Sequence, residues 1–128
     1  MVKTILVGPD LAVGETILRA LDSEGFPVTV AMWLLQKERS DDWVLVISSP
    51  LHDQLGSREA YIRLMKIISL KHSLSVSEIP IRLESNRRPL IKALRKLFGK
   101  TASVEGMRLG LQSIGGTWID DGYVYRIR

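Results

Sequence analysis

Val28-Thr29-Val30-Ala31-Met32-Trp33-Leu34-Leu35 and Trp43-Val44-Leu45-Val46-Ile47 are two apolar runs rich in β-branched and aromatic residues, and only Gln36-Lys37-Glu38-Arg39-Ser40-Asp41-Asp42 separates them. A connection between parallel neighbours takes about a dozen residues or more, usually with a helix. The stretch from Gln36 to Asp42 is too short and too charged for that, so the two runs must pair antiparallel, as a hairpin. Both parities of the hairpin are apolar. Val28, Val30, Met32 and Leu34 share one face, and Ala31, Trp33 and Leu35 share the other. A strand with one wet face alternates, so something must cover both faces of this pair.

Upstream, Val2 to Val7 reads as a strand closed by Gly8-Pro9. Asp10, Leu11, Ile17, Leu18 and Leu21 then predict an amphipathic helix ending at Gly25, with Gly14 costing about 1 kcal/mol relative to Ala inside it. Downstream, Ser49-Pro50 stops the second hairpin strand, and Leu51 to Ser57 reads as a polar loop. Arg58 to Leu70 predicts a helix with Tyr61, Ile62, Met65, Ile68 and Ser69 at helical spacing, fraying at Lys71-His72-Ser73. Ile79 to Glu84 alternates as a short strand, and Pro80 places it at an edge or at a strand start. The order strand, helix, strand, strand, helix, strand is the ferredoxin-like β-α-β-β-α-β unit with an antiparallel sheet.

A third helix, Pro89 to Phe98, carries the apolar stripe Leu90, Ile91, Leu94, Leu97 and Phe98. Met107, Leu109 and Leu111 then alternate with Arg108, Gly110 and Gln112 as a half-buried strand, and Gly115-Gly116 signals a hairpin turn. Thr117 to Ile119 and Tyr123 to Ile127 follow, interrupted by Asp120-Asp121-Gly122, which is either a bulge in one strand or a second turn. The expectation is one α+β domain over residues 1–128, with a split core in 1–85 and a helix-plus-hairpin extension in 86–128. That extension is the expected cover for the free sheet face. A second copy of the chain is the other available cover, and self-association as a homo-oligomer is expected alongside the intramolecular one.

The 128 residues suit one domain, and 45% hydrophobic with 25% charged residues is a globular composition. No apolar stretch approaches the roughly 20 residues of a spanning helix, and the N-terminal run is too short for a signal peptide. There is no cysteine, which excludes disulfides, thiolate catalysis, iron–sulfur clusters and cysteine zinc sites. A cytoplasmic protein of bacterial style, away from membranes, is expected. Charge is lopsided: residues 1–64 hold six Lys/Arg against nine Asp/Glu, and residues 65–128 hold twelve against five. Such asymmetry points to an anionic partner for the basic half.

The basic stretch from Arg82 to Lys100 holds seven cations and only Glu84 as an anion. On the third helix Arg88, Lys92, Arg95 and Lys96 lie opposite the apolar stripe. With Arg87 and Lys100 they are the expected phosphate contacts of a non-enzymatic nucleic-acid-binding module. The competing explanation is a solvated face, with cations near a helix C-terminus complementing the macrodipole. Trp33, Trp43, Trp118, Tyr123 and Tyr125 all fall on strands. The RNA-recognition fold stacks bases on first- and third-strand aromatics, an arrangement missing here, so packing is their expected role.

For catalysis the inventory is poor, and no catalytic residue, cofactor or metal ligand is expected. His52 and His72 lack companions at metal spacing, Ser48-Ser49 lacks a nucleophile elbow, and Asp41-Asp42 and Asp120-Asp121 suit turn chemistry. The rival reading is an enzyme or small-ligand protein with a site at the strand ends near Asp10 and Ser48. A structural homo-oligomer is the third.

Lys3 to Val7 through Val28 to Ala31 resembles the opening of a two-component receiver domain. That family places an acidic pair after its first strand and a phospho-accepting aspartate after its third. Gly8-Pro9-Asp10 offers one carboxylate and Ser48-Ser49-Pro50 none, so receiver chemistry is not implied. Across most of the chain, Gly25-Phe26-Pro27-Val28 leads into a Trp-bearing hairpin, and Ser49-Pro50-Leu51 is followed by Arg58-Glu59-Ala60-Tyr61. With the closing Asp121-Gly122-Tyr123-Val124-Tyr125-Arg126, these features resemble a family of small uncharacterised bacterial proteins, and the resemblance implies no activity.

Overall fold

The short connection after Leu35 does close a hairpin. In the computed structural model, which describes residues 5–71, 80–100 and 103–128, β1 (Val30–Leu35) pairs antiparallel with β2 (Val44–Ser48), from Val30↔Ser48 to Leu34↔Val44. Around it lie α1 (Gly8–Ser23), α2 (Leu51–Leu55), α3 (Ser57–Lys71), β3 (Ile81–Glu84), α4 (Pro89–Phe98), β4 (Arg108–Leu109), β5 (Gln112–Ile114), β6 (Thr117–Ile119) and β7 (Asp121–Ile127). The main sheet has the order β3-β2-β1-β7-β4, and β5 and β6 form a separate two-stranded ribbon. The fold is α+β with a mixed sheet.

The mixture corrects the expected antiparallel, ferredoxin-like order. In that order the first strand separates the two strands flanking the second helix. Here β2 and β3 flank α3 and pair with each other directly and in parallel, from Leu45↔Ile81 to Ser48↔Glu84. No slot for a strand is left between them. Ser49 to Pro80 is ample for a parallel crossover, and Pro80 stands just before β3 at the sheet edge. Residues beyond 86 are no appendage, because they supply β7, which sits between β1 and β4.

Ile5, Leu6 and Val7 form no strand, and Ile5 and Val7 are exposed. The chain turns into α1 at Gly8 because Pro9 fits a first helical turn and Asp10 Oδ2 accepts the Val7 N–H at 2.9 Å. The remainder of that expected strand, residues 2–4, lies outside the described residues, as do His72, Ser73 and Ile79. At its other end α1 stops as expected. Gly25 has φ +73°, its N–H bonds the Asp22 carbonyl, and the Phe26 N–H bonds the Leu21 carbonyl, the paired bonds of a Schellman motif.

Both faces of the sheet are covered by the chain itself. On one, Ile17, Leu21, Leu64 and Ile68 of α1 and α3 pack on Ala31, Trp33, Leu45 and Ile47. On the other, Leu90, Ile91 and Leu94 of α4, with Ile114 and Ile119 of the ribbon, pack on Val30, Met32, Leu34, Val46 and Val124. The hairpin's two-sided apolar character is thereby satisfied without a partner copy.

Several local expectations shift. Leu51–Leu55 is a short helix rather than a loop, started at Pro50 and ended at Gly56 with φ +87°. The buried stripe of α3 runs through Ala60, Leu64 and Ile68, leaving Tyr61 and Ile62 exposed. Leu97 of α4 is likewise exposed, and Leu111 is exposed because the chain leaves the main sheet after Leu109 to begin the ribbon. Asp120 is neither bulge nor hairpin turn, since it marks the switch from the ribbon to the main sheet. The true bulge in β7 is Tyr125: Ala31 pairs with Arg126 but Met32 pairs with Val124. A bulge re-aims a side chain, and this one turns Tyr125 toward α1.

Candidate nucleic-acid interface

Ser85-Asn86-Arg87-Arg88 carries the chain from the edge strand β3 onto the second sheet face. Ser85 Oγ donates to the Asp53 carboxylate at 2.7 Å and accepts the Arg87 N–H at 3.0 Å, which fixes the turn. α4 then runs from Glu84, which pairs with Arg88, toward the end of β7, where Arg95 Nε donates to the Arg128 carbonyl at 2.6 Å. Burial of Leu90, Ile91 and Leu94 sets the rotation of the helix. Lys92, Arg95 and Lys96 are consequently held in solvent, with Arg87 exposed before the helix and Lys100 exposed after it.

Five of the six sequence-predicted contacts are thus exposed, three on α4 and two on its flanks, and Arg88 stands apart. Its guanidinium meets Glu84, whose side chain is 10% exposed and also lies 2.9 Å from Arg82 Nε. One carboxylate therefore serves two guanidinium groups, leaving a local excess of positive charge. Burial, assisted by nearby Arg39 and Arg88 and opposed by Glu84, pulls the Arg82 guanidinium below its ordinary pKa. Arg82 also donates to Gln36 Oε1 at 3.1 Å. Among the described residues, Arg87, Lys92, Lys96 and Lys100 take part in no ion pair.

No Asp or Glu occurs from Ser85 to Val104. Arg95 and Lys96 lie in the last turn of α4, where cations complement the macrodipole by about 0.3–1 kcal/mol. The same effect opposes Arg87 and Arg88 at the N-terminal end, where the first turn has no acidic residue. Helix stability accounts for the first pair and not for the second. Arg58, Arg63 and Lys66 of α3 lie in the layer on the opposite sheet face, apart from the exposed cations of α4 and its flanks.

The strand-end site near Asp10 and Ser48 is not assembled. Asp10 is engaged by Val7 in the first turn of α1, about 20 Å of helix away from the end that leads into β1. Ser48 and Ser49 are fully buried. Ser48 Oγ accepts the Val30 N–H at 2.9 Å and lies 2.6 Å from Thr29 Oγ1, which donates to Asn86 Oδ1 at 2.5 Å. Ser49 Oγ accepts the Leu51 N–H at 3.1 Å. A hollow of about 390 Å³ beside Gly99, Glu105 and Arg126, and one of about 230 Å³ beside Glu24, Phe26 and Lys66, each bring a single side-chain carboxylate. Asp120 accepts the Lys37 N–H and Asp121 pairs with Arg108. Among the described residues no group of three His, Asp or Glu gathers to hold a metal ion, and no helix is long and apolar enough to cross a membrane.

The aromatics divide. Trp33 and Trp43 are buried at 1% and 5% exposure, and Tyr123 and Tyr125 pack edge-on with centroids 5.3 Å apart. Trp118, on the outer face of the ribbon, is 43% exposed. The chain matches no protein-family model, no curated protein and no solved structure.

Proposed function

We propose that this chain is a non-enzymatic, cytoplasmic nucleic-acid-binding module that tracks phosphates with the outward face of α4. The observation carrying the reading is the exposure of Arg87, Lys92, Arg95, Lys96 and Lys100 along a stretch that contains no Asp or Glu, one of them before the helix N-terminus where the dipole opposes it. Each phosphate neutralised by such a cation releases condensed counterions, a favourable contribution that needs no sequence readout. Arg88 and Glu84 act as the anchor that orients the start of α4, and the exposed cations make the contacts.

The test is electrophoretic or anisotropy binding to short DNA and RNA at about 50 mM salt, where counterion release is strong. Removing two of five contacts with Lys92→Glu and Lys96→Glu lowers affinity about fifty-fold or more by the same relation. Absence of binding by the unaltered chain, or an unchanged affinity in the doubly reversed variant, overturns the reading.

A further inference from the structure

Trp118 is an exposed aromatic on the ribbon that packs beside α4. The ribbon β5–β6 directs Ile114 and Ile119 into the core, which leaves Ser113 and its cross-strand partner Trp118 pointing away from the sheet. Its turn is seated on α4: a Cβ on Gly115, where φ is +56°, would lie 2.5 Å from Ala93 Cβ and 3.3 Å from the Pro89 carbonyl. Gln36 Nε2 donates to the Trp118 carbonyl at 3.3 Å and pins the ribbon from the other side. Trp118 stands three residues beyond Gly115, about 10 Å at ~3.3 Å per residue. Lys92 and Lys96 are respectively beside and one turn beyond Ala93 on the helix. An exposed indole and two exposed lysines outside any ion pair thus belong to the same layer, α4 and the ribbon seated on it.

Resting on the proposed nucleic-acid reading, we infer that the ligand is a single-stranded nucleic acid, one of whose bases stacks on Trp118 while the following phosphates meet Lys92 and Lys96. Bases in a duplex are already stacked on one another, so an exposed indole on a rigid ribbon gains nothing from them. An unpaired base offers its face whatever its identity. The outward apolar side chains of this layer are few: Trp118 and Leu111 fall on the outer parity of the ribbon and Leu97 on α4, with the exposed Lys92, Arg95 and Lys96 beside it. A bilayer surface instead calls for a continuous apolar stripe.

The experiment compares ~15-nucleotide oligo(dT) and oligo(rU) with a duplex of equal phosphate count, a length within the range one binding fold covers. The readouts are anisotropy and intrinsic tryptophan emission, in which Trp118 is the exposed indole. Either oligonucleotide should bind about tenfold tighter than the duplex and quench the emission, the stronger of the two identifying the strand as DNA or RNA. Trp118→Ala should lose roughly tenfold on the single strand and nothing on the duplex, while Trp118→Phe, which keeps a ring, retains most of the affinity. Circular dichroism of both variants guards against unfolding.

Equal single-strand affinity in Trp118→Ala and the unaltered chain, with Lys92→Glu/Lys96→Glu still losing binding, overturns the stacking inference and leaves the phosphate reading standing. No binding of any nucleic acid removes both. Binding to vesicles of anionic lipid with an emission blue-shift, and not to oligonucleotides, overturns both in favour of a membrane surface.

Discussion

Gly14 sits mid-helix in α1, where replacement by Ala ordinarily stabilises by about 1 kcal/mol. In this fold the replacement should destabilise. A Cβ at Gly14 would lie 2.3 Å from Tyr125 Oη and 2.6 Å from Cζ, so the ring must move. That ring is held by two hydrogen bonds: Trp33 Nε1 donates to Oη at 3.0 Å, and Oη donates to the Leu11 carbonyl at 2.6 Å. Displacing it leaves the indole N–H of fully buried Trp33 without an acceptor, at about 1–3 kcal/mol. Overpacking adds about 1–3 kcal/mol. Against the helix gain of about 1 kcal/mol, the net for Gly14→Ala is a loss of about 1–5 kcal/mol.

The assay is urea unfolding followed by circular dichroism, as a cycle with Tyr125→Phe. The phenylalanine variant alone loses about 1–3 kcal/mol through the same orphaned indole. In the double variant those hydrogen bonds are already gone and the nearest clash is removed, so the two losses should fall short of additivity by about 1 kcal/mol or more. A Gly14→Ala variant as stable as the unaltered chain, or strictly additive losses, refutes the packing of Tyr125 on α1.

Burial raises the Tyr125 hydroxyl above its ordinary pKa, despite the opposing Trp33 hydrogen bond. Its contribution is full below pH ~10, where the unfolded tyrosine titrates, and is lost as pH rises through the raised folded value. Tyr125→Phe should therefore flatten alkaline unfolding curves above pH ~10. At the acid end, the hydrogen bond from Arg126 holds the Asp22 carboxylate below its ordinary pKa, against some desolvation. That contribution is present above pH ~4 and fades as pH falls through the lowered value. Since Asp22 is half in solvent, Asp22→Asn should cost only about 0.5 kcal/mol at neutral pH and weaken the acid dependence. Glu84→Gln strips the shared carboxylate from Arg82 and Arg88. Both guanidinium groups are partly solvated, so the expected loss in urea unfolding is about 1–3 kcal/mol, below the value for a fully buried pair.

The elements legible in the sequence were those decided by nearby residues. The hairpin followed from the brevity of Gln36 to Asp42, α4 from Pro89 and its apolar period, and the ribbon turn from Gly115-Gly116. Strand neighbours are set by the whole chain, and there the reading failed. Nothing local to Ile81–Glu84 says that it pairs directly with β2, and nothing in Ile5-Leu6-Val7 says that it lacks a partner in the sheet. Some missed signals were present. Pro50 and Gly56 bracket α2, while Val124 and Ile127 both face the second core, three residues apart, which a strict period of two cannot accommodate without the bulge at Tyr125. The cations of α4 were legible because burial of Leu90, Ile91 and Leu94 fixes their face. Trp118 was not, because period-two alternation tells which side a residue takes but not whether that side is covered.

The most direct test of the α4 surface is the salt dependence of binding to a single-stranded oligonucleotide. With Arg87, Lys92, Arg95, Lys96 and Lys100 each neutralising one phosphate, the logarithm of the binding constant should fall against the logarithm of salt concentration with a slope of about −3.5. No complex at the lowest salt, or a slope near zero, contradicts a phosphate-tracking role for this helix.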